Sequence, residues 1–214
     1  MPPQILGISG SPINNSNTDR LVQAVLAASG LPAEFIKLSR INVRPCRACL
    51  GCVPDNVCKV NDDFPALAEK VNEASALVIG GYPPYGSLDG FTKAFLERLY
   101  SLRHRNGLNR GKLAVVAVTG LGRGAPGLEE AGGQIAHALT SEGMEVIGQL
   151  KAEGNPECLV CSFGAECSMS ALPWLFGKDT AVTPEKFRRV EDQPLVWQEA
   201  AALGRKLAAR LQAG

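Results

Sequence analysis

Residues 4–28, QILGISGSPINNSNTDRLVQAVLAA, read as a short apolar strand, a polar loop and an amphipathic helix. The run Gln4 to Ile8 breaks into Gly10-Ser11-Pro12, and Leu21, Val22, Val25 and Leu26 then recur at helical spacing from Asn17 to Ala28. Ser16, Asn17 or Thr18 caps the helix start. Backbone N–H groups and the helix dipole at that point favour an anion, a phosphate by preference. The same short polar side chains also make an ordinary turn and cap, so the loop alone does not decide between ligand and turn. It contains neither GxGxxG nor GxxxxGK[ST], which argues against dinucleotide and Walker-type sites there.

Outward from this unit the rhythm repeats. Ala33 to Leu38 reads as a second strand, and a helix capped by Asp62 or Asp63 runs to about Glu73, with Leu67 and Val71 facing inward. The continuous apolar runs Ala76 to Gly81 and Leu113 to Thr119 are those of central parallel strands buried on both faces. The first ends in Tyr82-Pro83-Pro84-Tyr85-Gly86-Ser87 before a helix over 88–102; the second ends in GLGRGAPG before a helix over 127–141. Glu145 to Leu150 is a fifth strand and Leu195 to Leu211 a last helix. Repeated βα alternation implies one parallel sheet with right-handed crossovers and helices on both faces. Residues 151–193 lack clear periodicity and read as an insertion, of the kind that is usually functional or an oligomer contact.

The chain has 214 residues, 45% of them hydrophobic, which suits a single domain, 1–214, with a proper core. A formal charge of +1 and scattered Lys and Arg exclude a general nucleic-acid-binding field. The opening MPPQILGISG has no basic n-region and a very short apolar run, so neither a signal peptide nor a membrane anchor is expected, and the chain is read as cytoplasmic. His104, in LRHRNG, reads as a solvated residue at the end of a basic helix, and His137 as a helix-face residue. Arg103, Arg105 and Arg110 read as a solvated surface, or as a dock for an acidic electron-transfer partner.

All seven cysteines fall in two places. Cys46, Cys49, Cys52 and Cys58 occupy a loop over 44–60 with the spacing C-x2-C-x2-C-x5-C; Cys158, Cys161 and Cys167 lie in the insertion with the spacing C-x2-C-x5-C. Clustered thiols in a reducing compartment hold metals or do redox chemistry more often than they form structural disulfides. The first set suits an iron–sulfur cluster, tetrahedral zinc, or a group of free thiols. The second repeats the tail of the first and reads as a second metal site with a fourth ligand from elsewhere. Strands two and five stand at opposite edges of a 2-1-3-4-5 sheet, too far apart for the two sets to share a metal within one subunit.

Three segments, GISGSPINNSNT, the cysteine stretch with its following NDD, and GGYPPYGSLDGFTKAFLERL, together resemble the NAD(P)H-dependent FMN reductase superfamily. Within it, the cysteine spacing is similar to that of the iron–sulfur flavoproteins. The resemblance, over about residues 4 to 150, implies a flavodoxin-like doubly wound sheet with FMN at the topological switch point. It implies an FMN phosphate held by Ser9, Ser11, Pro12, Ser16, Asn17 and Thr18, and an isoalloxazine ring wrapped by Tyr82, Pro83, Pro84, Tyr85, Gly86 and Ser87, with Thr119, Gly120 and Gly122 on its other side. For Cys46, Cys49, Cys52 and Cys58 it implies a [4Fe–4S] cluster beside that flavin site, because the loop leaves strand two at the same sheet edge. Many relatives carry Arg where this chain has Ile13, which removes one phosphate or pyridine-nucleotide contact.

The expected protein is therefore an FMN-dependent redox protein passing electrons between flavin and a [4Fe–4S] cluster, with ferredoxin, NAD(P)H or a quinone as donor or acceptor, and a homo-oligomer. The alternatives are a cluster-free NAD(P)H:FMN or quinone reductase and a zinc-stabilised, non-enzymatic binding protein on the same fold.

Overall fold

The structure is a computed structural model describing residues 5–122 and 127–213; residues 1–4, residues 123–126 of the GLGRGAPG loop, and Gly214 lie outside the described residues, and with them Gln4 of the expected first strand. Five strands, β1 (Ile5–Ser9), β2 (Ala33–Lys37), β3 (Ala76–Gly81), β4 (Leu113–Gly120) and β5 (Glu145–Glu153), form an all-parallel sheet in the order β2-β1-β3-β4-β5. This is the doubly wound, flavodoxin-like arrangement expected from the βα rhythm.

The alternation of strand side chains sorts the core into two layers. Leu6, Ile8, Leu77, Ile79, Ala114 and Val116 pack on one face against α2 (Phe64–Glu73), α3 (Gly90–Leu99) and α4 (Leu128–Ser141). Ile5, Val78, Val115 and Ala117 pack on the other against α1 (Asn17–Ser29) and α6 (Pro194–Ala213). Every residue of β1 and β3 is buried, as continuous apolar runs require.

Helix α1 begins where the sequence places it. Ser16 Oγ accepts from Asp19 N at 3.1 Å and Asp19 returns the bond to Ser16 N at 3.2 Å, a capping box of about 1 kcal/mol; Gly30 ends the helix at φ +65°. Register sets Ser9 beside Lys37 on one side and Gly80 on the other, so the C-terminal ends of β1, β2 and β3 share one edge.

The insertion differs from expectation. Strand β5 continues to Glu153, because Thr119 and Gly120 of β4 extend past their neighbours and pair with Ala152 and Glu153. Beyond it the chain is organised rather than structureless, with single helical turns at Glu157–Leu159, Pro184–Lys186 and Val190–Asp192 and a short helix α5 at Leu172–Phe176. These pieces are too short to carry a periodic signature. Among the described residues no helix is long and apolar enough to cross a membrane.

Candidate functional site

The order β2-β1-β3 reverses direction between β1 and β3, and the loops leaving those strands open a crevice at that switch point. The first loop is held from below by a buried network that sequence reasoning missed. Ser9 Oγ donates to Asp19 at 2.6 Å, and Lys37 Nζ donates to the other Asp19 oxygen at 2.6 Å and to the Ile13 carbonyl at 2.7 Å. Lys37 and Asp19 are both buried, so their charges cancel beneath the loop. The groups above it that could meet an anion are the hydroxyls of Ser11 and Ser16 and the N–H groups of Asn17 and Thr18 in the first turn of α1, which have no intrahelical carbonyl. Ser11 N donates to Ser9 Oγ at 3.3 Å and Pro12 stands exposed on the rim. Arg40, from the turn after β2, brings a guanidinium to the same rim, 3.0 Å from Asn14 Oδ1. Its only sequence signal is its position just past a strand end.

Two of the expected phosphate ligands are engaged otherwise. Asn17 donates to Arg188 O at 2.9 Å and accepts from Val190 N at 3.1 Å, so its side chain clasps the insertion. Thr18 is buried and its hydroxyl meets that of Thr119 at 2.6 Å, joining the two walls of the crevice.

Opposite, the turn over Tyr82–Ser87 is built on Asp89. This fully buried carboxylate accepts from Thr92 N at 2.8 Å, capping α3, and from Tyr82 N at 3.2 Å; burial pushes its pKa up. Gly10 runs so close that a Cβ there would lie 1.9 Å from Thr92 Oγ1 and 2.6 Å from Asp89 Oδ1. Tyr85 sits at φ +53° with its ring fully exposed, a conformation aromatic residues rarely adopt outside functional turns. Pro83 approaches Gly120, Gly86 has φ +75° and Gly122 has φ +136°, so the two loops expected around a flavin ring do meet at one edge. Pro84 and Ser87 complete that turn, and Tyr82 is half-buried, its pKa raised by burial and then by Asp89 and Glu157.

The four cysteines of the 44–60 loop are also gathered. Cys46, Cys49, Cys52 and Cys58 line one open pocket with Lys59, Arg98, Tyr100 and Ser101. Helix α3 starts at the switch-point edge, and Asp62, at the far end of the cysteine loop just before α2, pairs with Arg98 of that helix. That guanidinium donates to Asp62 at 2.6 and 3.0 Å, to Arg44 O at 2.8 Å and to Cys58 Sγ at 3.1 Å, and stacks over Phe64. Burial would lift the Asp62 carboxyl, but Arg98 and two backbone N–H bonds hold it below its usual range. His104, expected to be solvated, stands half-buried with Nε2 3.3 Å from Cys52 Sγ; Arg105 likewise donates to Pro54 O in the loop at 3.1 Å. Burial raises the pKa of the Cys52 thiol, against a backbone hydrogen bond that lowers it, and the neighbouring thiols add to the rise.

Among the described residues no three Cys, His, Asp or Glu side chains stand close enough to share one ion. A single zinc at about 2.3 Å from each sulfur would need that convergence. A four-iron cluster takes one thiolate per iron and spreads its ligands, and four thiols around one pocket with N–H donors to two sulfurs, Ala48 N to Cys46 and Arg98 to Cys58, fit such a group. Cys158, Cys161 and Cys167 lie apart from this pocket, in the insertion.

A family model described as NADPH-dependent FMN reductase matches residues 3–150. The chain is 28% identical to an iron-sulfur flavoprotein of Methanosarcina thermophila over 148 residues, which are 68% of this chain and 77% of that protein. It is 32% identical to one of Methanocaldococcus jannaschii over 103 residues, 47% of this chain and about half, 53%, of the relative. Among solved structures, RosB with a bound 8-demethyl-8-formylriboflavin-5'-phosphate intermediate superimposes with a TM-score of 0.64 at 16% identity, covering 99% of this chain and 81% of that one. An archaeal flavodoxin does so with 0.54 at 14%, covering 98% and 99%. At these identities the structural likeness speaks for the fold.

Proposed function

Because the chain belongs to the NADPH-dependent FMN reductase family, and is with it a flavin-dependent oxidoreductase, we propose that it binds FMN in the switch-point crevice and a [4Fe–4S] cluster in the four-thiol pocket, and passes electrons between them and an external donor or acceptor. The flavin exchanges one or two electrons and the cluster one; the protein supplies binding and orientation. Ser11, Ser16 and the first-turn N–H groups of α1 hold the phosphate, with Ser9 supporting them through Asp19 and Arg40 on the rim. The turn from Tyr82 to Ser87 and the Thr119, Gly120 and Gly122 wall enclose the ring. Cys46, Cys49, Cys52 and Cys58 take the cluster, and Arg98 orients Cys58. Ferredoxin, NAD(P)H or a quinone is the class of partner, and the working form is a cytoplasmic homo-oligomer.

The observation that carries this reading is the single pocket lined by all four thiols with a buried arginine donating into it. Anaerobically purified protein tests it by flavin, iron and sulfide content together with its visible spectrum. FMN with at least about four irons and matching sulfide per chain is expected, four of them from the four-thiol pocket. FMN without iron makes it a cluster-free flavin or quinone reductase, and zinc without flavin makes it a binding protein.

A further inference from the structure

The insertion carries three further thiols, Cys158, Cys161 and Cys167, and its ends are fixed. Gly154 N donates to Gly120 O, in the ring wall, at 2.5 Å. The Arg188 carbonyl accepts from both Asn155, at the start of the insertion, and Asn17, in the first turn of α1, at 2.9 Å each. Entry and exit of the insertion are thereby tied to the two walls of the crevice. Glu157, adjoining Cys158, lies near enough to Tyr82 for its charge to raise that hydroxyl's pKa.

Between those ties the chain folds as a knuckle. Cys161 N donates to Glu157 O and Cys167 N to Phe163 O, each at 2.9 Å, so two of the three cysteines close tight turns. Backbone N–H groups point at the sulfurs: Ala171 N at Cys158 Sγ, 3.3 Å, and Met169 N at Cys167 Sγ, 3.4 Å. The latter repeats, two residues on, the bond from Ala48 N to Cys46 Sγ in the first set. Ser162, directly after Cys161, adopts φ +69°, as Ala48 and Leu50 adopt positive φ between the first cysteines. Gly164 is pressed against the Cys158 carbonyl, where a Cβ would lie 2.1 Å from the oxygen. The spacing from Cys158 through Cys161 to Cys167 is that from Cys49 through Cys52 to Cys58. Val160, Phe163, Met169 and Trp174, in and just after the knuckle, are exposed.

We propose that Cys158, Cys161 and Cys167 bind a second iron–sulfur centre, at the mouth of the flavin crevice and separate from the four-thiol pocket. Hydrogen bonds to sulfur are one means by which a protein tunes such a centre. Three thiolates leave one iron of a four-iron cluster to a non-protein ligand, and the exposure of Cys161 and Cys167 keeps that iron open to solvent.

The inference rests on the reading of the chain as an iron–sulfur flavoprotein, and the test separates the two. Full-length protein is purified and reconstituted anaerobically with iron and sulfide, and iron, sulfide, zinc and FMN are counted per chain. Wild type is compared with Cys158→Ala/Cys161→Ala/Cys167→Ala and with Cys46→Ala/Cys49→Ala/Cys52→Ala/Cys58→Ala. About eight irons in wild type, halved in each variant with FMN retained, is the expected result. Wild-type iron in the triple variant, or zinc lost from it in place of iron, overturns the proposal and leaves the four-thiol cluster standing. Loss of iron in the triple variant alone supports this centre and removes the other. Should the triple variant fail to fold, Cys161→Ser at an exposed position reads the same loss.

Discussion

Arg98 Nη2 lies 3.1 Å from Cys58 Sγ while the same guanidinium grips both oxygens of Asp62 and is only 1% exposed. One helix residue thus holds the end of the cysteine loop and one of its sulfurs at once. Arg98→Met leaves Asp62 buried without its partner, and breaking a buried pair from one side costs about 3–5 kcal/mol. Urea denaturation should show that loss, and iron content should fall with it. Arg98→Lys should restore little, since an ammonium cannot reproduce the two-oxygen fork and the bond to sulfur together.

The same pair sets the acid response. Asp62 has a folded-state pKa below its unfolded value, so its contribution is fully present above about pH 4 and is lost as pH falls through the lowered folded value. Asp62→Asn should therefore be less stable than wild type at pH 7, with the gap narrowing as the medium is acidified below that point. Chemical denaturation at a series of pH values measures it; a gap independent of pH would refute the assignment.

Arg40 and Lys37 make a contrast at the phosphate loop. Arg40→Gln removes a charge from the rim without disturbing the core, so FMN should bind several-fold more weakly, more so at low ionic strength, with the unfolding midpoint unchanged. Lys37→Met strands Asp19 in the interior and should cost stability as well as affinity. Lys37→Met/Asp19→Asn should recover most of the stability while FMN binding stays weak. Flavin titration beside thermal unfolding distinguishes these outcomes.

Gly10→Ala places a methyl group against Thr92 and Asp89, where 1.9 Å is available. Overpacking of this kind costs about 1–3 kcal/mol. The displaced backbone is that of the phosphate loop, so FMN affinity should drop by at least tenfold, about 1.4 kcal/mol. Fluorescence of released flavin on dilution gives the measurement.

The sheet order and the crevice were legible in sequence because buried parallel strands write continuous apolar runs, as in Ala76–Gly81, and because polar loops such as that from Gly10 to Ser16 follow them. Asp19 and Lys37 were not legible, since they meet only through the register that sets Ser9 beside Lys37. The tie between Asp62 and Arg98 that holds the cysteine loop was not legible for a related reason, since it depends on where Arg98 falls along α3. Asn17 was expected as a phosphate ligand from the family resemblance; that its side chain is claimed by Arg188 and Val190 has no local signal at all.

That clasp has a consequence for how the protein is made. Asn17 and Arg188 are 171 residues apart in the chain, and contacts of such separation form late because the intervening loop must close first. During synthesis the first βα unit leaves the ribosome long before the segment that secures its helix start. The nascent chain therefore spends most of its translation time with this wall of the crevice unsecured.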